Sequence, residues 1–255
     1  MHTCADLSVK HSTERRGRQS MRIGIIGAGN IGGTLARRFA QLGHEVFIAN
    51  SRGPETLADF ARETGAKAVT PREAARQGEV VIVTIPEKNI AKLARDLFAD
   101  TPDNVVIVDT GNYYPRRDGH IAEIESGTTE SRWVSQQLGR PVVKAFNNIY
   151  ARHLLELGKP GDARGRIALP VAGDDKKSKE LVINLLDELG FDGVDAGGLD
   201  DSWKQQPGTP VYGTDFDVDG VRKALAQASP ERPAGFRAAS APQASPRANP
   251  AADAR

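Results

Sequence analysis

Between residues 22 and 196 the chain alternates short apolar runs with amphipathic stretches. Ile23–Ile26, Val46–Ile48, Val80–Ile85, Val105–Val108 and Val142–Phe146 are the main runs. They do not alternate apolar with polar, as parallel strands covered on both faces should not. Leu35, Phe39 and Leu42 recur at helical spacing, with Arg37, Arg38 and Gln41 on the other side, and Gly43 closes that helix. Thr70-Pro71 begins another, with Thr70 as N-cap, Pro71 in the first helical position and Glu73 in the first turn. Ile90, Leu93, Ala94 and Leu97 predict a third. Strand and helix in turn predict an open parallel α/β sheet with right-handed crossovers. Beyond residue 148 the elements shorten: a helix over Ile149–Leu157, a strand over Ile167–Ala172, a helix over Lys179–Leu189 and a strand over Phe191–Ala196. The stretch Trp203–Tyr212 reads as a loop rich in turn formers.

The ends differ from this core. Residues 1–20 are polar and lack the apolar centre of a secretory signal, and Met21 is an alternative start just before the first strand. Residues 227–255 hold ten Ala, five Pro and a single aromatic, Phe236. Both ends are expected to be disordered, because such sequences bury too little apolar area to offset their ordering entropy. The organisation expected is therefore a disordered extension (1–20), a nucleotide-binding domain (21–148), a small C-terminal α/β portion (149–226) and a disordered tail (227–255). Lys plus Arg total 34 against 33 Asp plus Glu, and this balance gives no reason to expect nucleic acid or an anionic membrane as partner. One cysteine, Cys4, excludes an intramolecular disulfide. The composition reads as that of a cytoplasmic globular protein.

The first strand runs into Gly27-Ala28-Gly29-Asn30-Ile31-Gly32, and a helix follows. This is the strand–turn–helix context in which a G-x-G-x-x-G motif binds a dinucleotide, so the sheet is expected to be Rossmann-type and doubly wound. Gly27 permits the tight turn, Gly29 leaves room for a pyrophosphate, and Gly32 lets the helix approach the strand. The helix N-terminus then offers free N–H groups near Asn30 and Ile31. At the end of the second strand, where NAD-selective proteins place a carboxylate on the ribose, stands Asn50-Ser51-Arg52. A hydroxyl and a guanidinium suit a 2′-phosphate, which predicts NADPH over NADH, moderated by nearby Glu55. Ligands of such sheets lie at the carboxyl ends of strands, which here bring Thr84, Pro86, Asp109, Asn112 and Asn147 together.

The usual catalytic arrangements are not legible. No Ser/His/Asp set appears, and the five histidines form no metal-ligand spacing, so no metal and no catalytic acid or base is assigned. Asp109 is the best-placed carboxylate, and its expected role is to accept a helix or loop N–H. Hydride transfer to a carbonyl normally needs a group that moves a proton. Transfer to a conjugated ring mainly needs two rings stacked at the right distance.

Taken together, the glycine turn, Asn50-Ser51-Arg52, Thr84-Ile85-Pro86 and Lys144-Ala145-Phe146-Asn147 resemble the NADPH-dependent reductases of the deazaflavin coenzyme F-420. The resemblance spans about residues 21–226. It implies a dimeric oxidoreductase with NADP(H) over the glycine turn and a deazaflavin or flavin stacked on the nicotinamide. It also implies pyrophosphate contacts from Ala28–Ile31, a 2′-phosphate pair of Ser51 and Arg52, and a backbone contact to the nicotinamide from Ala145. The deazaflavin contact would fall at Pro207–Pro210. Reduction of a small imine or carbonyl compound, and NADPH sensing without turnover, are the alternatives.

Overall fold

The computed structural model describes residues 20–238. The extension over 1–19 and the tail over 239–255 lie outside the described residues.

The expected parallel sheet is present. Strands β1 (Arg22–Ile26), β2 (Glu45–Ala49), β3 (Lys67–Ala68), β4 (Val80–Val83), β5 (Val106–Asp109) and β6 (Val143–Lys144) form one sheet in the order β3-β2-β1-β4-β5-β6. Every pairing is parallel. The order reverses beside β1, which places the ligand crevice of a doubly wound fold above β1 and β4. The helices are α1 (Asn30–Gln41), α2 (Ala58–Thr64), α3 (Pro71–Gln77), α4 (Glu87–Ile90), α5 (Pro115–Asp118), α6 (Ala122–Glu125) and α7 (Glu130–Leu138). The start of α3 is a complete capping box, with Thr70 and Glu73 each satisfying the other's backbone N–H.

The C-terminal portion contains α8 (Ala151–Glu156), β7 (Ala168–Val171), α9 (Lys176–Leu189), β8 (Asp192–Asp195) and α10 (Val218–Ala226). Strands β7 and β8 pair in parallel, and a bridge between Lys144 and Ala172 ties this small sheet to the large one. A single apolar cluster runs from Ile23, Phe39 and Ile48 through Leu154 to Leu169, Leu186 and Phe191. The boundary expected at residue 148 therefore divides the chain but not its core.

Four local expectations are corrected. The helix expected over Ile90–Leu97 is only α4, continued by a string of turns with Leu93 bonded to Ile90 and Leu97 to Ala94. These i to i−3 bonds still turn Ile90 and Leu97 inward, so the apolar spacing alone does not distinguish them from an α-helix. The start of the loop expected over Trp203–Tyr212, as far as Gln205, belongs to a 3₁₀ helix over Leu199–Gln205. Arg38, expected outside, donates to the carbonyls of Leu154, Leu155 and Leu189 and so caps the last turns of both α8 and α9. Residues 227–238, expected in the tail, are placed against the fold, with a 3₁₀ turn at Ala234–Phe236. Their anchors are single side chains that composition does not register: Arg232 bonds Glu130 and Gln206, and Pro233 and Phe236 pack against Gly208.

Because both portions share one core, Leu186→Ala should lower the stability of the whole chain by about 2–5 kcal/mol. Urea unfolding followed by tryptophan fluorescence and by circular dichroism should give one coincident transition rather than two.

Candidate functional site

The turn after β1 is built by close approach. Gly27 has φ 118°, and a Cβ on it would lie 2.2 Å from the Thr84 carbonyl oxygen. A Cβ on Gly32 would lie 1.9 Å from the Gly27 carbonyl oxygen. The protein itself therefore requires glycine at both positions. Gly29 is different: it has ordinary φ of −80°, and a Cβ there would meet nothing within 4 Å. It is the N-cap of α1 and supplies no side-chain cap, and the first turn of that helix has no acidic residue. Free N–H groups with positive dipole character thus face open space beside Ala28, Asn30 and Ile31.

Next to this turn, Asn50 shapes its own loop. Its Oδ1 accepts from the amides of Arg52 and Gly53 at 2.8 and 3.0 Å, and its Nδ2 donates to the Thr56 hydroxyl. This leaves Ser51 and Arg52 exposed at the loop tip. Glu55 packs against Gly53, so one carboxylate does stand in the same loop.

The other strand ends meet through buried polar groups. Asn147 donates to Asn112 Oδ1 and to the Gln205 carbonyl, while Gln205 returns a bond from Nε2 to Asn147 Oδ1. Asn112 in turn donates to the Asn147 carbonyl. Thr84 and Pro86 follow the end of β4, with Thr84 bonded to Ile26 at the end of β1. Ala145 is buried, and its amide donates to the Asp109 carbonyl, so only its carbonyl is left for a backbone contact. Phe146 has φ 61°, the one non-glycine residue with positive φ among the described residues. Such a conformation is costly, and here it is held between Lys144 and Asn147 at the end of β6.

Beneath these strand ends lies a group of charges that the apolar runs conceal. Lys144 is fully buried and donates to Asp109 Oδ2 at 3.1 Å and to the Gly111 carbonyl at 2.5 Å. Asp109 also accepts from the Gly111 amide at 2.8 Å, the loop N–H role expected of it, and from the Ser131 hydroxyl at 2.7 Å. Burial alone would lower the pKa of the Lys144 ammonium, but the charges of Asp109 and then Glu130 overcome it and hold the group above its usual value. Glu87 is fully buried, and neither of its carboxyl oxygens has a hydrogen-bond partner. Burial, and then the neighbouring charge of Asp109, hold its carboxyl far above the ordinary carboxylate range. Glu130 is raised as well, by burial, against the opposing charges of Lys144 and Arg232. The sequence signals for this cluster were a lysine inside an apolar run and an acid directly after Pro86, and neither identified its partner.

A cavity of about 810 Å³ opens elsewhere among the described residues. Its walls include Thr129, Trp203, Pro207, Thr209 and Arg232, and none of the glycine-turn or strand-end residues. The Pro207–Pro210 segment thus faces this cavity at Pro207 and Thr209. Among the described residues no group of three or more His, Cys, Asp or Glu side chains is arranged to hold a metal, and no helix is long and apolar enough to cross a membrane.

A family model described as NADP oxidoreductase, coenzyme F420-dependent, matches residues 22–113. The F420-dependent NADP reductase of Methanothermobacter thermautotrophicus is 30% identical over 213 residues, which cover 75% of this chain and 87% of that protein. The chain belongs to this family. It is an NADP-dependent oxidoreductase with a Rossmann-type sheet. The Escherichia coli protein YjhV is 38% identical over 66 residues, 26% of this chain and 48% of its own length. Among solved structures, the hypothetical protein SMa0349 of Sinorhizobium meliloti matches with a TM-score of 0.66 and 32% identity, over 79% of this chain and 97% of that one.

The oxidoreductase carries a built-in pH signature. Glu87 stays protonated in the fold at pH values where the unfolded chain releases that proton, so the native state binds more protons. Its contribution to stability is therefore greatest at acid pH and declines as pH rises above the ordinary carboxylate range. Glu87→Gln keeps the shape without the acid. Urea melts across a pH series should show it more stable than wild type at neutral pH, with the decline reduced.

Proposed function

We propose that this oxidoreductase passes hydride between NADP(H), seated on the glycine turn, and a deazaflavin or flavin-like ring. The observation that carries the reading is Gly29. Neither its φ nor its surroundings require glycine, so the residue is explained by a ligand that needs the space a side chain would fill. The amides of Ala28, Asn30 and Ile31 would then face a pyrophosphate across Gly27, Gly29 and Gly32. Ser51 and Arg52, exposed at the adjacent loop tip, would hold the 2′-phosphate, and Asn50 has already given its acceptor oxygen to the loop. Thr84, Pro86, the Ala145 carbonyl and Asn147 would border the nicotinamide. Bound there, the reduced nicotinamide supplies two electrons and a proton as hydride. The acceptor ring takes the hydride together with a proton from solvent.

A ring acceptor is favoured because the acids and the lysine beneath the strand ends are tied to one another or buried. The chain's task would be to hold two rings in register and exclude water. One observation favours the second reading, reduction of a small imine or carbonyl. The hydroxyls of Tyr114 and Tyr212 are hydrogen-bonded to each other, joining the loops after β5 and after the 3₁₀ helix. Burial, and then the bond to Tyr114, raise the pKa of the Tyr212 phenol and keep its proton in place. NADPH oxidation with a deazaflavin, against a panel of imines and carbonyls and with Tyr212→Phe alongside, separates the two. Activity with the ring that survives Tyr212→Phe supports the first reading.

Two variants test the dinucleotide seat. Gly29→Ala should leave the unfolding midpoint unchanged, since its Cβ meets no protein atom, while weakening NADPH binding at least about tenfold. Arg52→Ala should weaken NADPH by roughly ten- to a hundredfold and NADH little, because only the former loses a charge-assisted hydrogen bond. Calorimetric titration with both coenzymes checks each.

A further inference from the structure

The C-terminal segment brings one cation to a point where three parts of the fold meet. Arg232 Nη1 donates to Glu130 Oε1 at 2.9 Å, and Nη2 donates to Gln206 Oε1 at 3.1 Å. Its guanidinium carbon stands 5.2 Å from the centroid of the Tyr113 ring. Glu130 is fully buried at the start of α7, and the Arg232 side chain is only 15% exposed. These three partners lie next to the polar groups at the strand ends. Tyr113 follows Asn112, and Gln206 follows Gln205, and both neighbours bond Asn147. Glu130 is followed by Ser131, which donates to Asp109. The segment is itself held: Arg237 donates to the Arg232 carbonyl at 2.5 Å, the Ala238 amide donates to Glu125, and Pro233 and Phe236 pack against Gly208.

We propose that Arg232 is a positioning residue, a clip that fixes the 110–114 loop and the 205–208 turn against α7 and thereby sets the acceptor side of the cleft. This rests on the proposed function, in which Asn147 borders the nicotinamide on which the acceptor ring stacks. A planar fork is suited to the task, because it bonds two acceptors at once and presents a flat face to an aromatic ring. Lysine would keep the charge facing Glu130 but would lose the second bond and the stacking. Arg232 does not reach the glycine turn, so its influence should stop short of the dinucleotide phosphates.

The test compares the full chain with Arg232→Ala and Arg232→Lys by hydrogen-exchange mass spectrometry, NADPH titration and steady-state kinetics with a deazaflavin acceptor. Faster exchange in residues 110–114 and 205–208 is expected in both variants, greater for alanine, with residues 27–35 unchanged. NADPH affinity should stay within about twofold, while kcat/KM for the acceptor falls by roughly ten- to a hundredfold in Arg232→Ala and less in Arg232→Lys. Unaltered exchange in the two segments would overturn the proposal. So would exchange that rises equally across the glycine turn, since that is general loosening. If Arg232→Ala does not fold, the exchange pattern of Arg232→Lys decides alone. If the wild type does not turn over the deazaflavin, the acceptor assignment fails, and the exchange comparison still judges the clip.

Discussion

The contact on which the N-terminal sheet depends is that between the first turn of α1 and the end of β1. At Gly32 the helix comes so near the Gly27 carbonyl that no side chain fits between them. That approach aims the helix axis at the crevice and leaves its amides uncapped. The open space at Gly29 then follows from where one helix is allowed to sit.

The second organising feature is electrostatic. Among the mostly aliphatic side chains of the central strands, Lys144 bonds both Asp109 and the Gly111 carbonyl, and Asp109 bonds the Gly111 amide. Both ends of one peptide segment are thus fixed by a single buried ion pair. Removing one partner would leave an uncompensated charge in the interior, which is why such pairs define geometry more than they add stability. The neutral acid at Glu87 fits the same logic, since Asp109 already supplies the negative charge beside Lys144.

The sheet, the glycine turn and the Ser51-Arg52 loop tip were legible in the sequence because each rests on local pattern. Uninterrupted apolar runs mark buried parallel strands, and three glycines between strand and helix mark a turn whatever the distant chain does. The links from Asn147 to Gln205, from Lys144 to Asp109 and from Arg232 to Glu130 were not legible. Each joins residues at least 35 positions apart, and no periodicity encodes a partner at that separation. The 227–238 segment shows the same limit in another form. Its average composition argues for disorder, yet a few individual groups, Arg232, Pro233, Phe236 and the Ala238 amide among them, tie it to the fold. Asn50 could be placed at the ribose end of the motif, but that its side chain folds back on its own loop is a matter of rotamer, not of residue type.

Arg38 gives α1 a second occupation. The helix begins at the glycine turn and, about 12 Å further on at 1.5 Å per residue, the Arg38 guanidinium grips the terminal carbonyls of α8 and α9. A rod pressed at one end against the glycine turn and bonded at the other to two helices of the neighbouring portion ties the two together. Through that one guanidinium, a tilt of α1 at the glycine turn would be felt at the ends of α8 and α9 as well.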